Sequence, residues 1–283
     1  MAIQQSQADK GKRFRELHQQ DHAFIIPNPW DVGTAKLLES LGFKALATTS
    51  AGYAFSVGKA DGAVDREEMI AHAAEIVAAT ELPVSADLEN LYVDDPSKVG
   101  ETIRMAAEVG LAGCSIEDVP VGRGNGPYEL AFAAERVRAA AEAVHSLPFP
   151  FTLTARSENF IIGRPDLRDT IARLQAFQEA GADALFAPGL RTKEDIATVV
   201  HSIDRPLNVI MGLQGVQLSV AELSEIGAKR ISVGSALSRA AIGAFLKGAR
   251  EMLEHGTFNF AEDATKYQEL NAMFSKGSRG RAA

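Results

Sequence analysis

Short apolar segments alternate with longer segments of helical periodicity along almost the whole chain. The short segments are typical of buried strands, and the longer ones repeat their apolar residues every three to four positions, as amphipathic helices do. The pattern predicts eight strands, at residues 24–27, 45–48, 84–87, 113–117, 151–155, 184–186, 207–210 and 230–233. It predicts eight helices, at residues 31–41, 66–79, 96–109, 130–145, 167–180, 193–201, 220–226 and 237–253. Strict alternation predicts parallel strands joined by right-handed crossovers.

A glycine follows the last apolar residue of a helix and precedes the next strand at four places: Gly42, Gly110, Gly181 and Gly227. Glycine is favoured after a helix because the chain often adopts positive φ there. Four copies of one design favour a single (β/α)8 barrel over residues 1–283, with a polar N-terminal extension and a disordered tail from Lys276 onward. A doubly wound sheet is disfavoured, because residues 27–31 carry no G-x-G-x-x-G motif after the first strand.

The composition is that of an ordinary globular protein. The 283 residues are 46% hydrophobic and 23% charged, with a net charge of −8. An acidic chain argues against nucleic-acid and membrane partners, which require clustered Lys and Arg. One cysteine, Cys114, excludes an intramolecular disulfide, and it reads as a core residue of the fourth strand. No apolar segment approaches the ~20 residues that span a bilayer, so we expect a cytoplasmic protein.

Acidic residues follow the third and fourth strands, at the barrel end where active sites lie. Asp87 and Glu89 are two positions apart, Glu117 ends the neighbouring strand, and Asp61 lies in the loop of residues 58–64. Converging carboxylates repel one another unless a positive charge lies between them. Oxygen donors without His or Cys favour Mg2+ or Mn2+. The alternative, solvated acids that cap the following helices, is preferred for Asp118 alone.

Arg156 follows the fifth strand and places a guanidinium at the barrel mouth. It is suited to binding a carboxylate with two hydrogen bonds, although it could also form an ion pair with Glu117 or Glu158. After the second strand, Ser50, Ala51 and Gly52 form a turn of small residues whose backbone N–H groups could hold an anion. Trp30 and Tyr53 are candidates for lining the mouth, with packing of a loop as the alternative, and Asn208, inside the seventh strand, is a further candidate for binding substrate.

These residues together resemble the isocitrate lyase / phosphoenolpyruvate mutase superfamily. The resemblance covers the barrel from about residue 14 to about residue 253. The motifs that carry it are Ser50-Ala51-Gly52-Tyr53, Asp61-Gly62, Ser85-Ala86-Asp87-Leu88-Glu89, Ser115-Ile116-Glu117-Asp118 and Thr154-Ala155-Arg156. Each motif is weak alone, but their order and spacing are specific.

The resemblance implies a set of roles. The acid matching Asp87 binds Mg2+ most directly, and those matching Asp61, Glu89 and Glu117 hold it largely through water. The Ser-x-Gly turn and the metal bind an α-oxo-carboxylate, and Arg156 contacts the substrate. The metal stabilises an enolate as the adjacent C–C or P–C bond breaks. The resemblance also implies a homo-oligomer, dimer or tetramer, in which the helix of residues 237–253 is swapped between subunits.

The chain departs from the family in the loop after the fourth strand. Isocitrate and methylisocitrate lyases carry Lys-Lys-Cys-Gly-His there, whereas residues 120–126 read Pro-Val-Gly-Arg-Gly-Asn-Gly. Asn125 could match an Asn of the mutase and phosphonopyruvate hydrolase branches, and Arg123 could supply positive charge. Those lyases also end the sixth strand with a Glu, and this chain has Phe186 at that place. Isocitrate lyase activity itself is therefore not expected.

The expected function is a Mg2+-dependent lyase that cleaves a C–C bond of a small 2-oxo or 2-hydroxy carboxylic acid through an enolpyruvate-type intermediate. Two alternatives stay open. One is a P–C bond enzyme, of the phosphonopyruvate hydrolase or mutase type. The other is a barrel that keeps the acidic pocket, binds an oxo-acid and has lost catalysis.

Overall fold

The computed structural model describes residues 6–120, 126–213 and 217–278 of the chain. Its strands are β1 (Phe24–Ile26), β2 (Leu46–Ala47), β3 (Val84–Ala86), β4 (Gly113–Glu117), β5 (Thr152–Arg156), β6 (Ala184–Phe186), β7 (Leu207–Ile210) and β8 (Arg230–Ser232). Its helices are α1 (Gln7–His18), α2 (Val32–Ser40), α3 (Ser50–Ser56), α4 (Arg66–Ala79), α5 (Val99–Glu108), α6 (Leu130–His145), α7 (Leu167–Glu179), α8 (Lys193–His201), α9 (Val220–Glu225), α10 (Ala236–His255) and α11 (Tyr267–Ser278). Short 3-10 helices occur at Pro96–Lys98 and Asn259–Asp263.

The eight strands form one parallel sheet in the order β1-β8-β7-β6-β5-β4-β3-β2. The two ends of this order meet, because the amide of Ala47 donates to the carbonyl of Pro27 at 3.1 Å. The sheet therefore curves into a nearly closed barrel, and the predicted (β/α)8 fold is confirmed. The predicted helix of residues 96–109 is a 3-10 turn followed by α5, since Pro96 stands at the first position and Asp95 caps it.

The polar N-terminal segment, expected as an extension, contains the helix α1. A capping box between Ser6 and Asp9 starts this helix, and the side chain of Phe14 is fully buried. Phe14 meets Phe24 of β1 edge to face, with ring centroids 6.4 Å apart. A Cβ atom on Gly11 would overlap the carbonyl oxygen of Pro150, so glycine allows α1 to approach the segment that leads into β5. The segment packs against the barrel because its few apolar side chains share one helix face.

The small-residue turn predicted after β2 is instead the first turn of α3. The hydroxyl of Thr49 caps this helix by accepting from the amide of Gly52 at 3.2 Å. A Cβ atom on Gly52 would lie 2.5 Å from Cγ2 of Thr49 and 3.4 Å from Cβ of Ser238. The glycine is thus required by close packing at the start of the helix.

The helix after β8 does not bury an apolar face. Of the twenty residues of α10, only Ser238 and Gly248 are buried, whereas Phe245 is 72% exposed and Leu253 is 87% exposed. The final helix α11 runs to residue 278, beyond the predicted start of the disordered tail, and residues 279–283 lie outside the described part. Across residues 6–120, 126–213 and 217–278, no helix combines the length and apolarity that crossing a membrane demands.

Candidate active site

A cavity of about 240 Å³ opens at the carboxyl ends of the strands, where α/β-barrel enzymes place their active sites. Side chains from all eight strands contribute to its wall. Seven of the candidate site residues lie on this wall: Ser50, Ala51, Asp61, Asp87, Glu117, Arg156 and Asn208. The folded chain therefore brings together residues that are up to 158 positions apart in the sequence.

Other candidate residues do not reach the wall. Tyr53 stacks on His72 with ring centroids 3.8 Å apart, so it packs α3 against α4. Gly52 faces Thr49, as described above, and the backbone of Trp30 donates to the hydroxyl of Thr34 at the start of α2. Tyr53 therefore makes a packing contact, the alternative considered for it, while substrate binding by Trp30 and Gly52 stays a prediction. Arg123 and Asn125 lie outside the described residues.

Arg156, the last residue of β5, is surrounded by three carboxylates. Its Nη1 atom lies 2.9 Å from Oδ1 of Asp87 and 3.0 Å from Oε1 of Glu117, and its Nε atom lies 2.9 Å from Oε1 of Glu158. Burial alone would lower the pKa of Arg156, but Glu117, Glu158 and Asp87 outweigh it and raise that pKa. The ion pair foreseen with Glu117 or Glu158 forms with both, and with Asp87 as well.

Asp87 is held at its position by hydroxyl and amide donors. Its Oδ2 atom accepts from the amide and the hydroxyl of Ser50, at 3.2 and 3.0 Å. Its Oδ1 atom accepts from the hydroxyl of Ser115 at 3.2 Å. These bonds connect the start of α3 and β4 to the end of β3. They fix one carboxylate at the wall of the cavity, where its side chain stays 20% exposed.

Glu117 is buried in a strongly charged environment, with 5% of its surface exposed. Desolvation raises its pKa well above the ordinary value, Arg156 opposes that rise, and the charges of Glu158, Asp87 and Glu89 add to it. One guanidinium therefore does not balance the acids around it. The group holds more carboxylates than positive charges, and this favours either proton uptake or a further cation.

The loop after β3 is strained. Glu89, Leu91 and Tyr92 all have positive φ, of 47°, 64° and 59°. Such a conformation costs roughly 1–3 kcal/mol for each residue that is not glycine. The carbonyl of Glu89 accepts from the amide of Glu117 at 2.8 Å, so this loop sits directly against the end of β4. Glu89 is not among the residues that line the cavity, and its charge helps to raise the pKa of Glu117 and of Tyr92.

A buried arginine from α6 holds this loop. The guanidinium of Arg136 donates to four carbonyl oxygens, with donor–acceptor distances of 2.5 Å to Asn90, 2.6 Å to Val93, 3.1 Å to Asp94 and 3.2 Å to Glu117. Its Cζ atom also lies 4.6 Å from the ring centroid of Tyr128. Arg136 thus supplies donors to a turn that cannot form regular backbone hydrogen bonds.

The expectation of a solvated capping acid is wrong for Asp118. This residue is 2% exposed, accepts from the amide of Glu158 at 2.9 Å and pairs with Arg173 at 3.2 Å. Burial raises its pKa to about 6, against the opposing effects of the Glu158 amide and Arg173. It connects the ends of β4 and β5 and so fixes Glu158 beside Arg156. Cys114 is fully buried in β4, and burial raises the pKa of its thiol.

The acids that were candidates for a metal share one neighbourhood. The pKa of Tyr92 is raised first by burial and then by the charges of Glu89, Asp87, Glu117 and Asp61. Among residues 6–120, 126–213 and 217–278, no three His, Cys, Asp or Glu side chains are already arranged around a common ion position, since Arg156 pairs with Asp87 and Glu117 instead. The donor set, all oxygen and with an excess of negative charge, fits a hard divalent cation in its chemistry.

The sequence analysis assigned no role in the site to several residues that shape it. Ser115 and Arg230 occupy inward-facing strand positions, where a polar residue among apolar ones was the available signal. Arg136 lies inside an alanine-rich helix, and no local pattern distinguishes it from a surface arginine. Its role depends on a contact with a loop more than forty positions away.

Comparison with known proteins gives a consistent set of similarities. A family model described as phosphoenolpyruvate phosphomutase matches residues 14–253. The crystal structure of a candidate lyase/mutase from Burkholderia cenocepacia J2315 is 55% identical, with a TM-score of 0.92 over 95% of this chain and 96% of that one. A 2,3-dimethylmalate lyase structure is 27% identical, with a TM-score of 0.84 over 96% of each chain. The 2-methylisocitrate lyase of Halalkalibacterium halodurans is 28% identical over 71% of this chain and 67% of that protein.

Proposed function

The chain belongs to the phosphoenolpyruvate phosphomutase family, within the superfamily that its motifs resemble, and from this premise we propose that it is a carbon–carbon lyase. The proposed substrate is a small 2-oxo or 2-hydroxy carboxylic acid, cleaved through an enolpyruvate-type intermediate in the presence of a divalent metal. One observation carries the proposal: Arg156 stands at the mouth of the barrel among Asp87, Glu117 and Glu158. This arrangement pairs an anion-binding group with an excess of oxygen donors.

Substrate binding is assigned to the groups that line the cavity. At about 240 Å³ the cavity is smaller than the ~300–1,000 Å³ typical of drug-sized ligands, which suits a small acid. Arg156 offers a planar guanidinium to a carboxylate. The first turn of α3 places Ser50 and Ala51 on the wall, where helix N-terminal amides favour negative charge. We assign the carboxylate end of the substrate to these two elements.

Metal binding is assigned to Asp87, Asp61 and Glu117, which line the cavity, and to Glu89, whose charge acts on the same Tyr92 side chain as theirs. Oxygen donors of this kind favour Mg2+ or Mn2+. When bound, the metal would supply stabilisation of negative charge that develops on the oxygen of an enolate. The chain's own residues orient the acid, and Phe186, whose ring centroid lies 4.9 Å from Cζ of Arg156, covers one side of that guanidinium.

In the proposed cleavage of a 2-oxo acid such as oxaloacetate, the electrons of the broken C–C bond pass to the carbon beside the oxo group, carbon dioxide leaves, and the resulting enolate is protonated at that carbon. In a 2-hydroxy acid the hydroxyl proton is lost, the hydroxyl carbon becomes the carbonyl of the departing fragment, and the bond electrons stay on the carbon beside the remaining carboxylate, which is then protonated. Arg123 and Asn125 are proposed to act from the loop after β4, as a positive charge and as a hydrogen-bonding side chain. The loop replaces the Lys-Lys-Cys-Gly-His sequence of the isocitrate lyases, so its proton donor must differ from theirs.

The test is a pyruvate-coupled assay with Mg2+ on oxaloacetate, 2-methylisocitrate, isocitrate, 2,3-dimethylmalate and phosphonopyruvate. We expect turnover of at least one carbon acid, abolished by EDTA and restored by added Mg2+. Arg156→Lys should lower kcat/KM at least tenfold, because one ammonium cannot make the two-donor contact. The matched control is Arg205→Lys, which changes an exposed arginine before β7. Binding of oxo-acids without turnover of any would contradict the lyase proposal.

A phosphorus–carbon bond enzyme is the second candidate, because the matching family model is described for a phosphomutase. Phosphonopyruvate belongs in the panel for this reason. Turnover of phosphonopyruvate alone would replace the C–C proposal with this one. The non-catalytic alternative has no specific observation in its favour.

We also propose that the protein is a homo-oligomer, a dimer or a tetramer, in which α10 packs against a second copy. Five large apolar side chains of this helix are exposed, and clustered exposed apolar surface marks a protein–protein contact: Leu237, Phe245, Leu246, Met252 and Leu253. Light scattering coupled to size-exclusion chromatography tests the proposal. Phe245→Asp should shift the mass toward the monomer, and Lys247→Asp, on the same helix, is the control.

A further inference from the structure

The cavity contains a second guanidinium, that of Arg230. This residue begins β8, is 6% exposed, and lines the same cavity as Arg156. Inner layers of α/β barrels are usually filled by branched apolar side chains. A buried arginine in that position therefore calls for a physical explanation.

Among the residues that the structure describes, the partners of Arg230 are neutral. Its Nε atom donates to Oδ1 of Asn208 at 2.9 Å, and its Nη1 atom lies 3.3 Å from Nε2 of His18. The Nδ1 atom of His18 lies 2.8 Å from the carbonyl oxygen of Phe14, so Nδ1 carries the hydrogen and Nε2 accepts. Burial, followed by the charge of Arg230, lowers the pKa of His18 to about 3, which keeps the ring uncharged. Within the described residues, no carboxylate lies at ion-pair distance from Arg230.

A buried cation without an acidic partner is costly, since desolvation is offset only by hydrogen bonds to neutral groups. Burial lowers the pKa of Arg230 to about 9, and repulsion from Arg156 adds to this effect. Two guanidinium groups thus lie near one another in one cavity, and the acids that balance Arg156 do not contact Arg230. A negatively charged ligand between them would relieve both the desolvation and the repulsion.

The sheet register places these two groups at different depths. Arg156 of β5 aligns with Phe186, which aligns with Asn208, which aligns with Arg230 of β8. Aligned residues project to the same side of a sheet, so both arginines point into the barrel. Three strand spacings of ~4.8 Å separate their backbones, which leaves room for a small molecule between the side chains. Because barrel strands are staggered, following this alignment leads from the mouth toward the floor.

We propose that Arg230, with Asn208 and Ser232, forms a second anion subsite at the floor of the cavity, which takes a carboxylate of the substrate remote from the one held at Arg156. The amide of Asn208 orients the guanidinium at Nε and donates to the hydroxyl of Ser232 at 2.9 Å. The inference rests on the proposed function for the position of the first carboxylate. It adds that the preferred ligands are those with two separated negative charges.

The test is calorimetric titration of the full-length protein with unbranched acids in matched pairs. Malonate, succinate and glutarate are each paired with the monocarboxylate of the same carbon count: propionate, butyrate and valerate. In the wild-type protein at least one dicarboxylate should bind at least tenfold more tightly than its partner. Arg230→Met should remove at least tenfold of the dicarboxylate affinity and change the monocarboxylate affinity by less than twofold. Arg230→Lys, which keeps the charge but loses the Asn208 contact, should fall between.

His18→Gln is the matched control, because it perturbs the contact with α1 and leaves the guanidinium in place. It should change dicarboxylate affinity by less than threefold. Equal losses for both members of a pair, no loss in Arg230→Met, or the same loss in His18→Gln would overturn the subsite. If Arg230→Met does not fold, the preference of Arg230→Lys for a dicarboxylate over its paired monocarboxylate is compared with that of wild type. An unchanged preference would then overturn the subsite. Binding needs no turnover, so selectivity without any reaction would end the lyase proposal and leave the subsite intact.

Discussion

Replacing Arg136 by methionine tests whether one buried guanidinium maintains the strained loop behind the active site. The change removes donors from four carbonyl oxygens, those of Asn90, Val93, Asp94 and Glu117. Methionine keeps most of the apolar volume of the side chain and supplies no donor. The substitution therefore isolates the hydrogen bonds from the packing.

The magnitude follows from two opposing contributions. A hydrogen bond from a charged donor is worth about 1.5–3 kcal/mol, and four bonds to one group are not additive. Against this, loss of Arg136 lets the loop relax from the positive φ values of Glu89, Leu91 and Tyr92, which recovers part of their strain. Removing one partner of a buried charged network typically costs about 3–5 kcal/mol. We expect a loss of that size in the free energy of unfolding.

Urea denaturation followed by circular dichroism measures the loss in the free energy of unfolding. The comparison requires that wild type and variant show the same dependence of that free energy on urea concentration. Arg138→Met is the matched control, because Arg138 lies on the exposed side of the same helix and should change stability by less than about 0.5 kcal/mol. The variant should also bind Mg2+ at least tenfold more weakly, since the loop carries Glu89 and abuts Glu117. A loss below about 1 kcal/mol with unchanged Mg2+ affinity would refute the idea that Arg136 holds the loop.

Three further predictions concern single side chains. Asp87→Ala should abolish Mg2+ binding, measured by calorimetry, while the thermal midpoint stays within a few degrees; unchanged metal affinity would remove Asp87 from the site. Cys114→Ser should retain activity in the coupled assay, because the thiol is buried away from the cavity, and a dead enzyme that still folds would contradict this. His72 has a folded pKa lowered to about 4 by burial, so the unfolded chain takes up its proton first and stability is lost as pH falls from about 6.5 toward 4. The free energy of unfolding of the wild type should fall by about 2 kcal/mol more between pH 7 and pH 5 than that of His72→Gln. If the two proteins lose the same stability over this range, His72 is not the group responsible.

The order and type of the barrel elements could be predicted from the sequence, because hydrophobic periodicity is a local property of the chain. Three strands, at Gly113–Glu117, Ala184–Phe186 and Leu207–Ile210, have the predicted bounds. The helices α1 and α3 were missed for a shared reason. Their segments are polar or made of small residues, and what stabilises them is contact with the barrel, which no local pattern reveals.

The sequence by itself determined the barrel, its family and the residue types at the mouth. Each strand is predicted from a local run of apolar residues, and the acids of the mouth follow those runs directly in the sequence. Tertiary structure alone decided how those groups pair. Closure of the sheet brings Asp87 to Arg156 across 69 positions and buries Asp118, which sequence reasoning placed in solvent. It also places Arg230 in the same cavity, where no acidic side chain of the described segments pairs with it. The physical reason is that strand register sets the distances between these charged groups, and burial sets how far they are desolvated. Both are fixed only when strands that are distant in sequence align in the folded barrel.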